Sequence, residues 1–417
     1  RRAMLLTGLL ALGGCAWLPD EDTPRARLMA LNQLVPTPDN GQPSRWPRSS
    51  WWRDFRDPAL NRLVETAIAG SPDLKVAAHR LREAQALGDM RAAALLPQVA
   101  AGMSVDAMHY SMNSVQLKLA GDTFALAMIN PVILQYHVDL WGRDRAALEE
   151  ALGLVQAEEA ENLQARLLLS TALSRAYFRL RLASEQRDLA IAMTATLRER
   201  LRLLHVRLEH GLATRQSLET EEARLQEAEQ RLQANTLHIR LLRDQLAAMA
   251  GQGPAFGDSI RWEADPVAEL PPTPAVLPLH LLARRPDIIA ARCRAEAAAK
   301  AIEVAEKAFY PDVNIRGFAG LHSVNLIDAL FHSSSLAFAV GPTLELPIFE
   351  GGRLEANLAA REAGYDSAVE TYNAGLVSAV RQTADALARL DEATQRTQSQ
   401  RQAVAALETN RQLADVL

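Results

Sequence analysis

The residue with the clearest chemical potential is Cys15, which follows a short apolar segment near the start of the sequence. Arg1 and Arg2 precede about a dozen mostly apolar residues, too few for a membrane-spanning helix but suited to the core of a secretory signal. A leucine and two glycines at 12–14 lead into the thiol, the pattern at which a diacylglyceryl thioether forms and the peptide is cut. We predict that Cys15 is lipidated; the alternative is an ordinary signal peptide with an incidental cysteine.

Residue patterns that would support catalysis or metal binding are missing from the sequence. It has no HExxH, GxSxG, Walker or CxxC motif. His205 and His210 are five residues apart and therefore do not share a helical face. Gly351-Gly352 is better explained as a strand-to-helix turn than as a phosphate-binding loop. We therefore predict no enzyme, no catalytic residue, no cofactor and no metal site.

Composition limits the remaining classes. The net charge is −5, and the basic residues are dispersed among acidic ones, so no nucleic-acid surface is indicated. Besides Cys15 the only cysteine is Cys293, which leaves no disulfide framework if Cys15 is acylated. Since no window holds 18 uninterrupted apolar residues, no transmembrane helix is predicted.

The prolines mark where long helices can form. None lies between Pro131 and Pro254, and an interior proline costs a helix about 3 kcal/mol. Within this tract apolar residues recur every three, four or seven positions as far as Leu208, and a heptad pattern restarts after Gly211. We predict two antiparallel helices, from about Arg143 to Leu208 and from Thr214 to Ala250. At 1.5 Å per residue the first is about 100 Å long.

The corner between these helices has the residues that a helical turn requires. Gly211 suits the left-handed residue that ends a helix, and Leu212 is expected to close over the last helical turn. Thr214 is expected to cap the returning helix through its hydroxyl.

The chain also repeats itself. Pro72-Asp73 and Pro286-Asp287 each open a helical pattern that a further proline closes 25 residues later. Gly142-Arg143 matches Gly352-Arg353, where a strand-like segment leads into a long helix. We predict a true internal duplication with an offset of about 210 residues, because chance similarity between alanine-rich helices does not explain the shared proline spacing.

Between the short and long helix of each copy, apolar and polar residues alternate with a period of two. This pattern predicts strands with one face toward lipid and the other toward water, one β-hairpin per copy. The alternative is a soluble sheet covered by the helices. Asn130-Pro131 makes the start of one strand uncertain. The alternating segments are Val99–Val105, Val132–Leu140, Val313–Ile315 and Leu344–Ile348, with hairpin loops near Ser111–Asp122 and His322–Ser335.

Four strands cannot close a barrel, and lipid does not tolerate an open strand edge, so several chains must pool their hairpins. Four segments resemble the TolC-like outer-membrane efflux proteins, and most of all the OprM/NodT lipoprotein branch, over almost the whole chain. They are WWRDFRDPALNRLVETAIAGSPDLKVAAHRLREAQA, YHVDLWGRDR, RLEHGLATRQS and LPLHLLARRPDIIAARCRAEAA.

The resemblance implies a mainly α fold with β elements: long antiparallel helical hairpins form an α-barrel, and two membrane β-hairpins contribute to a shared, trimeric 12-stranded β-barrel. It implies a lipid-anchored homotrimer in the outer membrane, with helices that span the periplasm. Its expected partners are a periplasmic adaptor, an inner-membrane transporter, commonly of the resistance–nodulation–division (RND) type, and outer-membrane lipid. The periplasmic tip at Gly211, Leu212 and Thr214 would dock the adaptor, unless these residues only make the turn.

The function so implied is a passive exit channel of a tripartite pump for drugs or other small molecules. One alternative is the exit duct of a type I protein-secretion system. Another, from a different class, is a periplasmic coiled-coil adaptor or scaffold lipoprotein, which would not need the two β-hairpins.

We expect four segments along the chain. Residues 1–14 are a lipoprotein signal peptide, 15–62 an irregular equatorial segment, 63–275 the first repeat and 276–417 a second repeat that is incomplete at its C-terminus. Residue 1 is not Met, so the natural start is expected upstream. The repeat offset places a second periplasmic turn near position 421, followed by a returning helix of about 37 residues.

Overall fold

The computed structural model describes residues 25–30, 49–113, 120–261, 282, 284–324 and 330–416. A 3-10 turn (Trp51–Phe55) precedes α1 (Pro58–Gly70) and α2 (Pro72–Ala94). Strands β1 (Gln98–His109) and β2 (Thr123–His137) lead into α3 (Arg143–Glu209), α4 (Arg215–Met249) and α5 (Pro254–Ser259). Then follow α6 (Pro286–Lys307), β3 (Asp312–Ser323), a 3-10 turn (Ser333–Ser335), β4 (Leu336–Glu345) and α7 (Arg353–Val416).

The long helices and the proline-bounded helices of the repeat lie where the sequence predicts them. Helix α3 extends one residue beyond the expected Leu208, and α4 begins directly after Thr214. The two proline-bounded helices of the repeat are α2 and α6, which begin at Pro72 and Pro286. Proline is favoured at this first helical position. A backbone N–H there would have no acceptor within the helix, so the absence of one in proline costs no hydrogen bond. The order helix, hairpin, long helix thus occurs twice, as the duplication predicts.

Seven prolines lie from Pro254 to Pro286, and this density predicts an irregular connector rather than a helix. One part of that connector is helical in the structure. Residues 254–259 form α5, with Gly253 as its N-cap residue and proline in its first turn. This corrects the expectation of an irregular segment from Pro254 onward, since a proline in the first turn starts a helix as readily as an interior one breaks it. The connector residues 262–281 lie outside the described part of the chain.

The strands form one antiparallel sheet in the order β1-β2-β3-β4. Strand β2 begins at Thr123 and runs through Asn130-Pro131, because its pairing with β3 shifts register between Ile129 and Val132. Proline is tolerated at such a bulge. Opposite the bulge, a Cβ on Gly320 would lie 2.2 Å from the Ile129 carbonyl oxygen, so only glycine fits there.

Two predicted strands end earlier than expected. Strand β2 stops at His137 and β4 stops at Glu345, although the Val138 N–H just past β2 still donates to the Val313 carbonyl of β3 at 2.8 Å. Gly142, Gly351 and Gly352 have positive φ angles of 77°, 61° and 83°, and this backbone turns the chain from each strand into a long helix.

The chain divides into two compact units. The first comprises Arg1–Pro36, Leu81–Glu159 and Leu282–Leu417, and it holds the sheet, α6 and α7. In it, Ala26 and Met29 donate their backbone N–H groups to Asp366 and Asn373 of α7, both at 2.8 Å. Cys293 is partly buried, and burial raises the pKa of its thiol.

The second unit comprises Thr37–Arg80 and Ala160–Leu281, with a core between α1, α3 and α4. From the sequence, the aromatic residues Trp46, Trp51, Trp52 and Phe55 are expected to anchor the proline-rich N-terminal region. Trp52 is only 3% exposed in this core, and Trp51 and Phe55 pack against it, which confirms these three. Trp46 lies outside the described residues. The apolar periodicity of the sequence places Leu173, Ala176, Leu180, Ala183, Met193 and Leu197 on one seam of α3. All of these are buried except Met193, which is half exposed.

Hydrogen bonds around Asp57 stabilise the core of this second unit. The Asp57 carboxylate caps α1 by accepting from the N–H groups of Ala59 (2.9 Å) and Leu60 (3.1 Å). It also accepts a hydrogen bond from the fully buried Tyr177 hydroxyl (2.7 Å) and one from Arg181 (3.3 Å). Burial, and then the bond to Asp57, raise the pKa of Tyr177, so its hydroxyl stays protonated and donates.

Among the described residues, no helix combines the length and the apolar character needed to cross a membrane.

Candidate functional site

The tip of the α3–α4 hairpin has a rigid backbone. Gly211 has a φ of +69°, and its N–H donates to the Leu208 carbonyl at 3.0 Å. The Leu212 N–H donates to the Arg207 carbonyl at 2.7 Å. This pair of bonds is the Schellman ending of a helix, which satisfies carbonyls that the helix leaves free.

The returning helix is capped as expected. The Thr214 hydroxyl accepts from the Ser217 N–H at 3.2 Å, and the Ser217 hydroxyl accepts from the Thr214 N–H at 3.2 Å. Together they form a capping box, which satisfies two donors at the start of α4. The three predicted tip residues therefore lie within a single well-defined turn.

The side chain of Leu212 departs from the expectation. It is 77% exposed, so it does not close over the last turn of α3. The prediction failed because the backbone bonds of the turn form whether or not the leucine folds back. A leucine on a rigid turn with most of its surface in water offers apolar contact area to another molecule.

Close to the tip, a buried carboxylate joins the two helices. The Glu221 side chain is 4% exposed and lies 3.2 Å from both the Arg200 Nε and the Arg224 Nη1. Since an unpaired buried charge is costly, these two arginines are required there. They line a cavity of about 300 Å³ together with Leu204, Thr214 and Ser217. No sequence pattern predicts this cluster, because Glu221 lies in a heptad pattern as an ordinary charged residue.

The sheet has two faces of different character, fixed by its register. Residues directly opposite one another on neighbouring strands point to the same side. One side, which we name the apolar face, is apolar except near the hairpin turns. Its members are Val99, Met103, Val105, Ala127, Ile129, Val132, Leu134, Tyr136, Val313, Ile315, Gly317, Ala319, Leu321, Leu336, Phe338, Val340, Pro342 and Leu344.

The opposite side, which we name the polar face, mixes polar side chains with apolar ones, the latter being Ala100, Met108, Phe124, Leu126, Met128, Ile133, Phe318, Ala337 and Ala339. The polar members are Gln98, Ser104, Asp106, Asn130, Gln135, His137, Asp312, Asn314, Arg316, His322, Thr343 and Glu345. The register thus separates the residues as the alternation predicts. The two outer strands, β1 and β4, each have one edge without a strand partner in the described chain.

A histidine joins the sheet to the long helix. The Nδ1 atom of His137 contacts Asp144 at the start of α3, and its Nε2 lies 2.6 Å from Asp312 at the start of β3. Arg143 lies 3.6 Å from the same Asp312. Asp312 is far from His137 in sequence, so the spacing of the residues could not reveal this cluster.

The other predicted site residue, Cys15, lies outside the described residues. Among the residues that the structure describes, no three histidine, cysteine, aspartate or glutamate side chains are grouped to hold a metal ion.

Comparison with known proteins agrees with this architecture. The sequence matches the outer membrane efflux protein family over residues 63–252 and 277–416. The chain therefore belongs to this family, whose members are transport proteins rather than enzymes. It is an outer-membrane efflux channel with a duplicated fold of long helical hairpins and β elements.

Individual relatives show how close the match is. The fusaric acid resistance protein FusA of Burkholderia cepacia is 35% identical over 362 residues, which are 85% of this chain and 68% of FusA. The multidrug resistance outer membrane protein MdtP of Escherichia coli K12 is 30% identical over 388 residues, 91% of this chain and 79% of MdtP. The crystal structure of VceC from Vibrio cholerae superposes with a TM-score of 0.76 at 34% identity, over 82% of this chain and 81% of VceC.

Proposed function

We propose that the chain works as a homotrimer, the exit duct of a tripartite pump that carries drugs and other small organic molecules out of the cell. The observation that carries this proposal is a four-stranded sheet with one apolar face and two edges that no strand of the described residues pairs. Lipid would accept the apolar face but not the free edges. Three copies would pair all their edges in a closed barrel and turn their polar faces inward to line a pore.

The long helix supports the same assembly. Besides its buried seam, α3 has exposed leucines at multiples of seven residues: Leu168, Leu182, Leu189 and Leu203. A heptad stripe is a surface on which another helix packs. We propose that this second stripe contacts a neighbouring copy, so that the helical hairpins close into a tube.

The full chain in detergent is therefore expected to have the mass of a trimer, as measured by light scattering after gel filtration. Leu189→Glu should lower the trimer fraction, because Leu189 is 70% exposed in one copy and would face another. Leu212→Glu is the matched control, an equally exposed leucine at the tip, and should leave the trimer fraction unchanged. A wild-type monomer would contradict the pooled barrel.

Partner docking is the role we propose for the turn at Gly211, Leu212 and Thr214. An exposed leucine on a rigid, capped turn supports it. The partner would be a periplasmic adaptor, which connects the duct to an inner-membrane transporter of the RND type. The names of FusA and MdtP refer to resistance to fusaric acid and to many drugs, and they favour small organic molecules as cargo here.

We also propose that Cys15 bears the lipid anchor. Ala16 follows it, rather than the aspartate that commonly retains lipoproteins in the inner membrane. Cys15→Ser is expected to abolish incorporation of labelled palmitate and to leave the signal uncleaved at this position. Cys293→Ser, which removes the other thiol of the chain, should keep the label. Acyl label that persists in the Cys15→Ser protein would refute this assignment.

A further inference from the structure

One strand of the sheet carries a cationic and an aromatic side chain on the same face. Arg316 and Phe318 are two residues apart on β3, so both lie on the polar face, about 7 Å apart along the strand. The Phe318 ring stacks on the His322 ring, with centroids 5.1 Å apart and planes 15° apart. The His322 Nε2 lies 2.9 Å from the Asn130 Oδ1, and this contact fixes the stacked pair.

The surroundings leave the arginine open. Arg316 is exposed, and its neighbours across the sheet are Gln135 on β2 and Gly341 on β4. Gly341 has no side chain, and a Cβ built on it would meet no atom within 4 Å. The guanidinium therefore has free space on its β4 side.

The row next to Arg316 is apolar. Phe318 lies between Ile133 on β2 and Ala339 on β4, and Ala100 of β1 completes this row. A flat apolar group can therefore lie against Phe318 while a group attached to it reaches Arg316.

We propose that Arg316 and Phe318 form a binding subsite for aromatic carboxylates on the wall of the duct. This inference rests on the proposed function, in which the polar face lines the pore. The guanidinium would donate two parallel hydrogen bonds to the carboxylate, as its planar fork does in proteins. The Phe318 ring would contact the aromatic body of the ligand.

Acidic residues elsewhere on the polar face would repel a carboxylate and so restrict its binding to the neighbourhood of Arg316. Asp106 lies toward the hairpin turn, and Asp312 and Glu345 lie opposite one another at the helical end. Asp312 already contacts His137 and Arg143, whereas Arg316 is the only arginine on the described part of the four strands. A carboxylate on this face is therefore attracted electrostatically to Arg316.

The test is a titration of the full-length trimer in detergent with benzoate, followed by saturation-transfer NMR. Benzamide serves as a neutral ligand of the same shape, and acetate as an anion without a ring. Wild type should bind benzoate in preference to both. Arg316→Gln should weaken benzoate binding about tenfold or more, since a hydrogen bond to a charged group is being lost. Phe318→Ala should weaken benzoate severalfold and leave acetate unchanged.

Two controls separate the subsite from nonspecific effects. Arg316→Lys should retain part of the affinity for benzoate, because lysine keeps the positive charge but cannot donate two parallel hydrogen bonds from a planar group. Asp106→Asn should not weaken benzoate, since it removes a charge of opposite sign from the same face. Equal benzoate affinity of wild type and Arg316→Gln would overturn the subsite.

Conductance measurements in planar bilayers distinguish refutation of the Arg316 subsite from refutation of the proposed pore. If the trimer conducts ions and Arg316→Gln shifts its selectivity toward cations, Arg316 faces the pore as required. A conducting trimer whose selectivity is the same in both forms would refute the subsite alone. A trimer without conductance would refute the pore and the subsite together.

Discussion

Cells whose channel has glutamate in place of Leu212 are expected to lose drug resistance while they make normal amounts of trimer. The Leu212 side chain contributes little to the fold of its own chain, since it is 77% exposed and the turn is held by backbone bonds. A glutamate there would place a charge where an adaptor should meet an apolar surface. Burying an unpaired charge costs several kcal/mol, which is enough to abolish docking.

The measurement combines growth in the presence of drug with cysteine crosslinking between tip and adaptor. Leu212→Met is the conservative control and should keep both, because it preserves apolar area. Gly211→Val tests the turn itself, because a β-branched residue at a φ of +69° is strained by about 1–3 kcal/mol. Normal drug resistance in cells with wild-type amounts of Leu212→Glu protein would contradict the docking role and leave this turn as only a connection between two helices.

Asp57→Ala is expected to have the largest effect on stability, a loss of about 3–5 kcal/mol from the core around Trp52. The substitution removes the cap of α1, leaves the buried Tyr177 hydroxyl without its acceptor and deletes the hydrogen bond between Arg181 and Asp57. Urea unfolding followed by tryptophan fluorescence measures the loss, since Trp51 and Trp52 lie in this core.

Two further variants show whether the cluster acts as a unit. Tyr177→Phe should cost only about 1 kcal/mol, because the carboxylate keeps Arg181 and two backbone donors. Asp54→Ala changes an exposed aspartate three residues away and should stay within about 0.5 kcal/mol of wild type. If Asp57→Ala were no more damaging than Asp54→Ala, the cluster would have no stabilising role.

The features that the sequence predicts are those set by neighbouring residues. Helices α3 and α4 follow from an unbroken apolar period and the absence of proline, and the Gly211 turn follows from local backbone preference. In the same way, the two faces of the sheet follow from alternation along each strand. These interactions join residues a few positions apart, so their pattern is visible in the sequence.

The features that escaped prediction depend on distant partners. Strand β2 continues through Pro131 only because Gly320, almost 200 residues later, leaves room for the bulge. His137 meets Asp312 because duplication puts the start of β3 beside the end of β2. The exposure of Leu212 was missed for another reason, since the turn permits more than one side-chain position.

The two unpaired edges of the sheet have a consequence for how cells make this protein. Strand edges next to an apolar face pair readily with any other exposed strand, so a single copy in water is a template for aggregation. If the chain works as the proposed trimer, newly made chains must therefore meet two others faster than they meet wrong partners. A cell that overproduces the chain beyond its capacity to shield and assemble it should accumulate insoluble protein, not a reserve of free subunits.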